Sequence, residues 1–392
     1  MNSRNILIIR LSAAGDALHT LPLACAIKRA MPDIHLTWLA SRKSLSVVKS
    51  HPLIDEIVLF DRQSWFRQLP ALTKELNRGR YDIVLDAQSQ IRSGLMSIMT
   101  HAPERYTFSP GISKEPSFLF ANYLVTPEPD EVHNIDRDLC FAKELGIKVN
   151  EVEFGLQFSN ATENRIISSL KGTGYNPDNE ILVGLCPSGS WPGKRWPVEN
   201  YAELAVRLVD SPPWDNPTRV VILWGPGEYQ TAYEIATQAS DDRIVIAPST
   251  SFKELGALMK HMKMIVSNDS GPLHLAVAVG TPVIGLYAPT DPRKCGPYGG
   301  VIMEKQRIVG KIGTRRLQTV AAHVAVNVNP SDLKCNAQKC RRCHRNDCMQ
   351  LISVEDVLSA AVIARPHGSR RLQTSRKQSR TIKLGRKYAS DT

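Results

Sequence analysis

Short apolar runs alternate with longer amphipathic stretches along most of this 392-residue chain. Apolar runs predict buried strands, whereas apolar residues that recur every three or four positions predict helices. Strands that alternate with helices indicate βαβ units and a parallel sheet. In the first half, strands are expected at 5–10, 34–39, 56–60 and 82–86, and helices at 17–30, 43–49, 66–78 and 133–145.

The same alternation begins again in the second half of the chain. Strands are expected there at 181–185, 220–224, 244–246, 264–267 and 282–287, and helices at 198–209, 228–238, 252–260 and 353–363. The stretch 147–160 has no helical period and separates the two series. The pattern therefore predicts an α/β protein with two doubly wound, Rossmann-like domains, 1–152 and 153–365, facing each other across a cleft.

The composition is typical of a soluble globular protein, with 42% hydrophobic and 22% charged residues. No apolar run approaches the roughly 20 residues of a membrane span. The first strand is not followed by a signal-peptide cleavage site, so we expect a cytoplasmic protein with reduced cysteines.

The net charge of +11 is placed unevenly. The last segment, 366–392, contains eight Lys or Arg residues and one Asp, and it is rich in Ser and Gln. Such a composition predicts a disordered tail. The tail would bind an anionic membrane surface or nucleic acid, or it would only keep the protein soluble.

The segment 264–286 joins a strand, a polar loop, a helix and a second strand. Pro272 is expected at the first helical position, where no N–H is needed, and Ser270 or Gly271 is expected to cap the helix. Its free amides and its dipole favour an anion beside the carboxyl edge of the sheet. An ordinary, well-capped βαβ turn has the same pattern. Asp269 ends the strand, and His274 lies one turn into the helix.

The loop after the first strand contains Gly15 and then Asp16, which is expected at or just inside the next helix. An acid in a first helical turn commonly complements the dipole, so position alone does not make Asp16 catalytic. The spacing does not match G-x-G-x-x-G, and a dinucleotide fingerprint is therefore not supported.

Two loops in the second half also follow strands and precede helices. The loop 186–197 contains Ser188 and Lys194, a point charge on a flexible stem that suits a diphosphate. A surface turn with extended basic side chains is the alternative. The turn 224–228 ends at Glu228, which suits either ribose hydroxyls or the first turn of a helix.

Five motifs, in order and at the expected spacing, resemble those of the ADP-heptose:lipopolysaccharide heptosyltransferases, glycosyltransferase family 9. The resemblance covers about residues 4–364. The motifs are the opening segment 9–22, the strand end 82–88, the Lys-x-Trp-Pro sequence at 194–197, the Gly-Pro-Gly-Glu turn at 225–228 and the segment 268–276.

The resemblance implies a GT-B fold with an acceptor-binding N-terminal domain and a donor-binding C-terminal domain. It implies inverting transfer of a heptose from ADP-heptose to the lipid A-linked inner core of lipopolysaccharide, with no required metal or cofactor. Because that acceptor is lipid-linked, we expect a peripheral location at the cytoplasmic face of the inner membrane.

The resemblance also assigns roles to residues of the motifs. Asp16 is the expected general base, and Lys194 is expected to hold the diphosphate together with the amides of Ser270 and Gly271. Asp269 would repel phosphate, so its expected partners are sugar hydroxyls. His274 either reaches the diphosphate or is structural. The other expected donor-side residues are Ser188 and Glu228.

Four cysteines and a histidine lie close together in the loop 335–348. Thiolates at such spacing can hold tetrahedral zinc, but zinc ribbons use two short C-x-x-C pairs and this loop has one. A structural zinc and a reduced loop packed by its thiols both stay open. The residues are Cys335, Cys340, Cys343, His344 and Cys348.

Two other functions are compatible with the sequence. A GT-B transferase with another nucleotide sugar or a protein acceptor would share the diphosphate motifs. A nucleic-acid-binding protein would use the basic tail and the cysteine loop. The sequence has no aromatic and basic platform of an RNA-binding module, so we expect no nucleic-acid partner.

Overall fold

The computed structural model describes residues 4–49, 51–61, 65–113, 115–318, 322–333 and 346–364. The first strands are β1 (Asn5–Ile9), β2 (His35–Ser41), β3 (Glu56–Phe60), β4 (Ile83–Asp86), β5 (Glu104–Phe108) and β6 (Tyr123–Val125). Among the described residues they form one parallel sheet in the order β3-β2-β1-β4-β5-β6.

Helices cover both faces of this first sheet, which is why its strands are almost continuously apolar. The helices are α1 (Ala14–Ala30), α2 (Arg42–Val48), α3 (Trp65–Arg78), α4 (Ile91–Met99) and α5 (Asn134–Glu144). Successive residues of β1 pack on opposite faces of the first sheet. Ile6 and Ile8 belong to the core that includes α1, whereas Leu7 and Ile9 belong to the core of α3 and α4.

The second half contains more strands. They are β7 (Glu151–Val152), β8 (Ile181–Cys186), β9 (Thr218–Ile222), β10 (Ile244–Ile246), β11 (Met262–Asn268), β12 (Val283–Tyr287), β13 (Val301–Glu304), β14 (Arg307–Lys311), β15 (Arg316–Leu317) and β16 (Val324–Asn327). In the part of the chain that the structure describes, the larger sheet has the order β10-β9-β8-β11-β12-β16-β13-β14. All its pairs are parallel except β13 with β14.

The second sheet is also covered by helices. They are α6 (Asn160–Lys171), α7 (Val198–Asp210), α8 (Tyr229–Ala239), α9 (Phe252–Lys260), α10 (Gly271–Ala278), α11 (Pro292–Cys295) and α12 (Val354–Ile363). In α7, Tyr201, Leu204 and Leu208 recur at helical spacing and pack with Val183 and Leu185 of β8. The α/β architecture with two doubly wound sheets is as predicted.

The two halves are joined by a small sheet and a buried ionic network. The small sheet pairs β7 with β15 in parallel. In the network, Asp136 of α5 is fully buried and accepts hydrogen bonds from Tyr298 Oη (2.7 Å), Thr314 N (3.0 Å) and Arg315 Nη1 (2.7 Å). Arg315 also contacts Glu131 at 2.7 Å. Several charge-assisted bonds therefore hold the first half against the second.

Most predicted elements lie within a few residues of the observed ones. The helix expected at 17–30 begins at Ala14, and the strand expected at 220–224 is β9, which ends at Ile222. The sequence pattern missed α4, β5, β6, β7, α6, α11 and the strands β13 to β16. The division into domains 1–152 and 153–365 stays a prediction; its boundary directly follows β7.

Two predicted features lie outside the described residues. These are the basic tail 366–392 and, apart from its last three residues, the cysteine loop 335–348. Of the helices in the described ranges, none is both long enough and apolar enough to cross a bilayer.

His323, which directly precedes β16, is buried without a hydrogen bond from either ring nitrogen to any described residue. Burial lowers the pKa of His323 to about 4. The folded protein therefore holds a neutral imidazole that the unfolded chain protonates below its ordinary pKa of about 6.5. The stability contributed by this group is complete above pH 6.5 and is lost as the pH falls toward 4.

We therefore expect His323→Leu to be at least as stable as the wild type at pH 7.5, because an unpaired polar ring is removed. At pH 5.5 its advantage should grow by about 1 kcal/mol, since the wild type alone then loses stability through this histidine. Urea unfolding at the two pH values measures both effects. An identical pH dependence in the two proteins would contradict the buried neutral imidazole.

Candidate active site

The first turns of α1 and α10 touch each other across the cleft. Gly15 is the second residue of α1, and a Cβ atom added to it would lie 2.9 Å from His274 Cδ2 and 3.7 Å from Gly271 Cα. Only glycine at position 15 leaves room for this approach without displacing the imidazole. The positive ends of two helix dipoles therefore lie side by side, which favours an anionic ligand here.

Asp16 is the third residue of α1 and is partly exposed. Its Oδ2 atom accepts a hydrogen bond from the backbone N–H of Ala13 at 2.8 Å, which fixes the carboxylate at the start of the helix. Its Oδ1 atom accepts no hydrogen bond from the described residues. The expected position inside the first helical turn is confirmed, and one carboxylate oxygen is available to an incoming group.

Lys194 and Asp269 form a buried ion pair, with 9% and 5% of their surfaces exposed. The Lys194 ammonium donates to Asp269 Oδ2 and lies 4.3 Å from the centre of the Trp191 ring. Asp269 Oδ2 also accepts a hydrogen bond from Thr290 Oγ1 at 2.9 Å. The sequence suggested separate roles for these two residues, but the structure places them in direct contact.

The loop that carries Lys194 is fastened to the strand ends around it. Asn268, at the end of β11, accepts from Trp196 N (3.2 Å) and donates to Pro187 O (2.8 Å). Trp196 is almost fully buried, and its indole N–H donates to Ile352 O at 2.9 Å. The alternative of a solvated surface turn is therefore wrong for this loop.

Residues near the C-terminus support the same loop. Asn346 Nδ2 donates to Arg195 O at 3.1 Å, and Cys348 Sγ lies 3.8 Å from Gly193 O. The last residues of the predicted cysteine loop thus contact the backbone on either side of Lys194. We refer to residues 346–352 as the C-terminal brace.

Ser188 and Glu228 lie together where β8 and β9 end. Ser188 Oγ donates to Glu228 Oε2 at 2.5 Å, and Gly225 N donates to the same oxygen at 2.9 Å. Glu228 is the residue just before α8. The carboxylate therefore closes its own turn through Oε2, and its second oxygen is the one suited to a ligand. The alternative of an acid in the first helical turn is wrong, because Glu228 precedes α8.

Three buried histidines meet behind the two helix starts. His19 Nε2 lies 3.1 Å from His274 Nδ1, and the ring centres of His19 and His133 are 5.3 Å apart. Burial lowers the pKa of each imidazole, that of His133 to about 4. All three rings are therefore neutral near pH 7. His274 Nε2 lies 3.7 Å from Asp269 Oδ1, so the cluster reaches the ion pair.

The structure thus gathers most predicted site residues at one place. The first turn of α1, which contains Asp16, meets Gly271 and His274 through Gly15. His274 faces Asp269, which is paired with Lys194. Ser188 and Glu228 form a separate pair at neighbouring strand ends. His19, Asn268 and Thr290 were missed. For His19 a signal existed, because it follows Asp16 by three residues and shares its helix face.

The described residues include no group of three or more His, Cys, Asp or Glu side chains arranged to hold a metal ion. The positive groups at the candidate site are instead Lys194 and two helix N-termini. Together with the carboxylate of Asp16, they suit proton removal beside a bound anion.

Residues 69–320 match the family model for glycosyltransferase family 9 (heptosyltransferase). The chain belongs to this family. Its curated relatives include the lipopolysaccharide core heptosyltransferase OpsX of Haemophilus influenzae. The two are 27% identical over 300 residues, which cover 76% of this chain and 83% of the relative. Membership in glycosyltransferase family 9 makes the chain a glycosyltransferase.

Solved structures confirm the predicted GT-B fold of this family 9 chain. The glycosyl transferase family 9 structure from Veillonella parvula has a TM-score of 0.70 at 20% identity and covers 91% of this chain and 96% of its own. E. coli heptosyltransferase WaaC with ADP-2-deoxy-2-fluoro heptose has a TM-score of 0.63 at 21% identity, with coverages of 90% and 97%.

The buried pair of Lys194 and Asp269 predicts a distinctive stability pattern. Lys194→Met should destabilise the protein by about 3–5 kcal/mol, because it leaves the Asp269 carboxylate buried without its cation. Adding Asp269→Asn should recover most of that loss, since no unpaired charge remains. Chemical unfolding of the two single variants and the double variant measures this coupling. Losses that simply add would show that the pair is not an energetic unit.

Proposed function

We propose that this chain is an inverting heptosyltransferase that transfers a heptose from ADP-heptose to the lipid A-linked inner core of lipopolysaccharide. The name of the Haemophilus relative supports the sugar and the acceptor, and the ligand of the E. coli structure supports the donor. One observation carries the proposal for this chain's own residues. Asp16 lies in the first turn of α1, which touches the first turn of α10 next to the buried Lys194–Asp269 pair.

In the proposed reaction Asp16 is the general base. Its Oδ1 atom takes the proton of the acceptor hydroxyl as that oxygen attacks the anomeric carbon of the heptose. The bond from this carbon to the diphosphate oxygen breaks at the opposite face, so the configuration inverts. The fixed Oδ2 atom keeps the carboxylate in place while Oδ1 accepts the proton.

The leaving diphosphate is proposed to lie against Lys194 and the first turn of α10. An ammonium group has three N–H donors, and Asp269 uses at most two of them, through Oδ2 and a 3.4 Å contact to its carbonyl oxygen. At least one donor is left for a phosphate oxygen. The backbone N–H groups of Ser270 and Gly271, at the start of α10, are proposed to donate hydrogen bonds to the same diphosphate.

The remaining contacts with the nucleotide-sugar donor are proposed from the positions of the carboxylates. Asp269 Oδ1 is proposed to accept from heptose hydroxyls, since a phosphate there would be repelled. Ser188 and the free oxygen of Glu228 are proposed to bind the ribose. Lys194 and the helix starts supply the positive charge at the leaving group, so we propose that no metal is required. A structural zinc in the cysteine loop 335–348 is a separate hypothesis.

Asp16→Asn should retain the fold and the affinity for ADP but lower the rate of transfer by roughly 10²–10⁴, the usual share of a general base. Initial rates with ADP-heptose and a lipopolysaccharide-core acceptor measure the loss, and calorimetry with ADP checks donor binding. Asp130→Asn, which changes an exposed acid, is the matched control. Near-normal turnover by Asp16→Asn would remove this residue from the mechanism.

The same assay tests the donor and the metal. A panel of nucleotide sugars should give the highest kcat/KM with ADP-heptose. A higher value with another sugar would favour the alternative GT-B transferase. Initial rates should not change with EDTA, whereas immediate loss restored by Mg²⁺ or Mn²⁺ would contradict a metal-independent reaction.

We further propose that the basic tail 366–392 brings the enzyme to the membrane surface that carries its acceptor. Each Lys or Arg near an anionic bilayer contributes up to about 1 kcal/mol, and this attraction falls with salt. Truncation before Pro366 should therefore reduce binding to anionic liposomes at low salt. Transfer to a soluble, delipidated acceptor should be unaffected. Equal liposome binding by both forms would leave a solubilising role for the tail.

A further inference from the structure

A continuous line of polar groups crosses from the N-terminal half of the chain to the candidate diphosphate site. It comprises Asn134, His19, His274 and Asp269, and we refer to it as the histidine chain. The successive distances are 3.5 Å from Asn134 Nδ2 to His19 Nδ1, 3.1 Å from His19 Nε2 to His274 Nδ1, and 3.7 Å from His274 Nε2 to Asp269 Oδ1. His19 and His274 are both buried.

The two ends of the histidine chain determine where its protons lie. At one end, the amide nitrogen of Asn134 can only donate, so the facing Nδ1 of His19 must accept. A neutral imidazole has one N–H, and His19 therefore carries it on Nε2 and donates to His274 Nδ1. His274 then carries its own N–H on Nε2.

The Asp269 end of the histidine chain weakly favours the same tautomers. Asp269 is a carboxylate, which attracts an N–H and repels a ring lone pair. The 3.7 Å separation is long for a hydrogen bond, but it is short enough for this preference to act. The opposite tautomers would place a lone pair toward Asp269 and an N–H toward the Asn134 amide. Both contacts would be unfavourable.

The tautomer of His274 matters because of where its Nε2 atom lies. A Cβ atom built on Gly15 would lie 3.6 Å from His274 Nε2, so this nitrogen borders the contact between the two helix starts. Asp16 is the next residue. An N–H on Nε2 adds a donor to the positive surface where the diphosphate is proposed to bind. A lone pair in the same place would oppose an anion.

We propose that His19 is a positioning residue of the donor site: it holds His274 in the Nε2–H tautomer from the opposite half of the molecule. The proposal rests on the proposed function, because that function supplies the diphosphate. It implies that the donor site is complete only when α1 and α10 are in contact. His19 itself needs no contact with either substrate.

Two variants of His19 separate positioning from simple space filling. His19→Phe keeps a ring but has no donor for His274 Nδ1, so the Nε2–H of His274 is no longer held toward the diphosphate. ADP should then bind up to about tenfold more weakly, the effect of losing one hydrogen bond to a charged group. His19→Gln keeps an N–H at a similar distance from the backbone and should restore most of the affinity. Calorimetry with ADP gives the affinities, and thermal unfolding identifies any loss of fold.

A matched control is available in the same cluster. His133 is buried beside His19, and its Nε2 bonds Gly296 O across the two halves, but it lies outside the histidine chain. His133 Nδ1 accepts from Ile135 N at the start of α5, and Asn can replace that cap. His133→Asn thus keeps the cap and removes the bond to Gly296 O, together with the ring contacts with His19 and Tyr298. It should leave ADP affinity unchanged.

Nitrogen-15 NMR of histidine-labelled protein tests the tautomers without any substrate. The wild type should show N–H on Nε2 and a lone pair on Nδ1 for both His19 and His274, with signals assigned by His19→Gln and His274→Asn. In His19→Phe the His274 signal should shift toward a mixture of tautomers. This measurement decides the question even if ADP binding to a variant is obscured by instability.

Three results would overturn the proposal: an Nδ1–H tautomer of His274 in the wild type, unchanged ADP affinity in folded His19→Phe, or an equal loss in His133→Asn. The last would indicate a general loosening between the halves. Failure of heptose transfer with the expected tautomers and ADP affinities would instead contradict the proposed function and leave the role of His19 intact.

Discussion

The close approach of two helix N-termini is the constraint on which the site depends. Each helix begins after a strand in the interior of its sheet: α1 follows β1, and α10 follows β11. The two sheets thus present their strand ends to one another, which is where open α/β folds bind ligands. Gly15 makes the contact possible because a side chain there would displace His274. The helical turn that carries Asp16 can therefore lie against His274, which faces the Lys194–Asp269 pair.

Buried charges accompany this contact, and each has a specific partner. Lys194 is paired with Asp269, and Arg315 is paired with Asp136 and Glu131. Pairs of this kind contribute little net stability when compared with apolar replacements, yet breaking one is costly. Their effect is to restrict which arrangements of the two halves are acceptable. Neutral histidines fill the space between these ion pairs. They form directional hydrogen bonds and add no further charge.

The sequence predicted the architecture well because apolar periodicity reports directly on burial. It missed β5, which begins with Glu104 and Arg105 and is not an apolar run. It missed the edge strand β6 because that strand has only three residues. It located Asp16 and the segment around Ser270 through loop chemistry. It did not reveal that Lys194 meets Asp269 or that His19 meets His274, because those partners are 75 and 255 residues apart. Such pairings depend on how the two sheets face each other, which no local pattern contains.

The position of the C-terminal brace in the sequence has a consequence during synthesis of the chain. Asn346 bonds the backbone of Arg195, and Ile352 bonds the indole of Trp196. Each partner lies more than 150 residues after the loop that it supports. A nascent chain emerging from the ribosome therefore has both helix starts well before it has the support for its central cation. The lysine loop gains this support only after residues 346–352 have been made. Until then, the growing polypeptide holds an incomplete donor pocket.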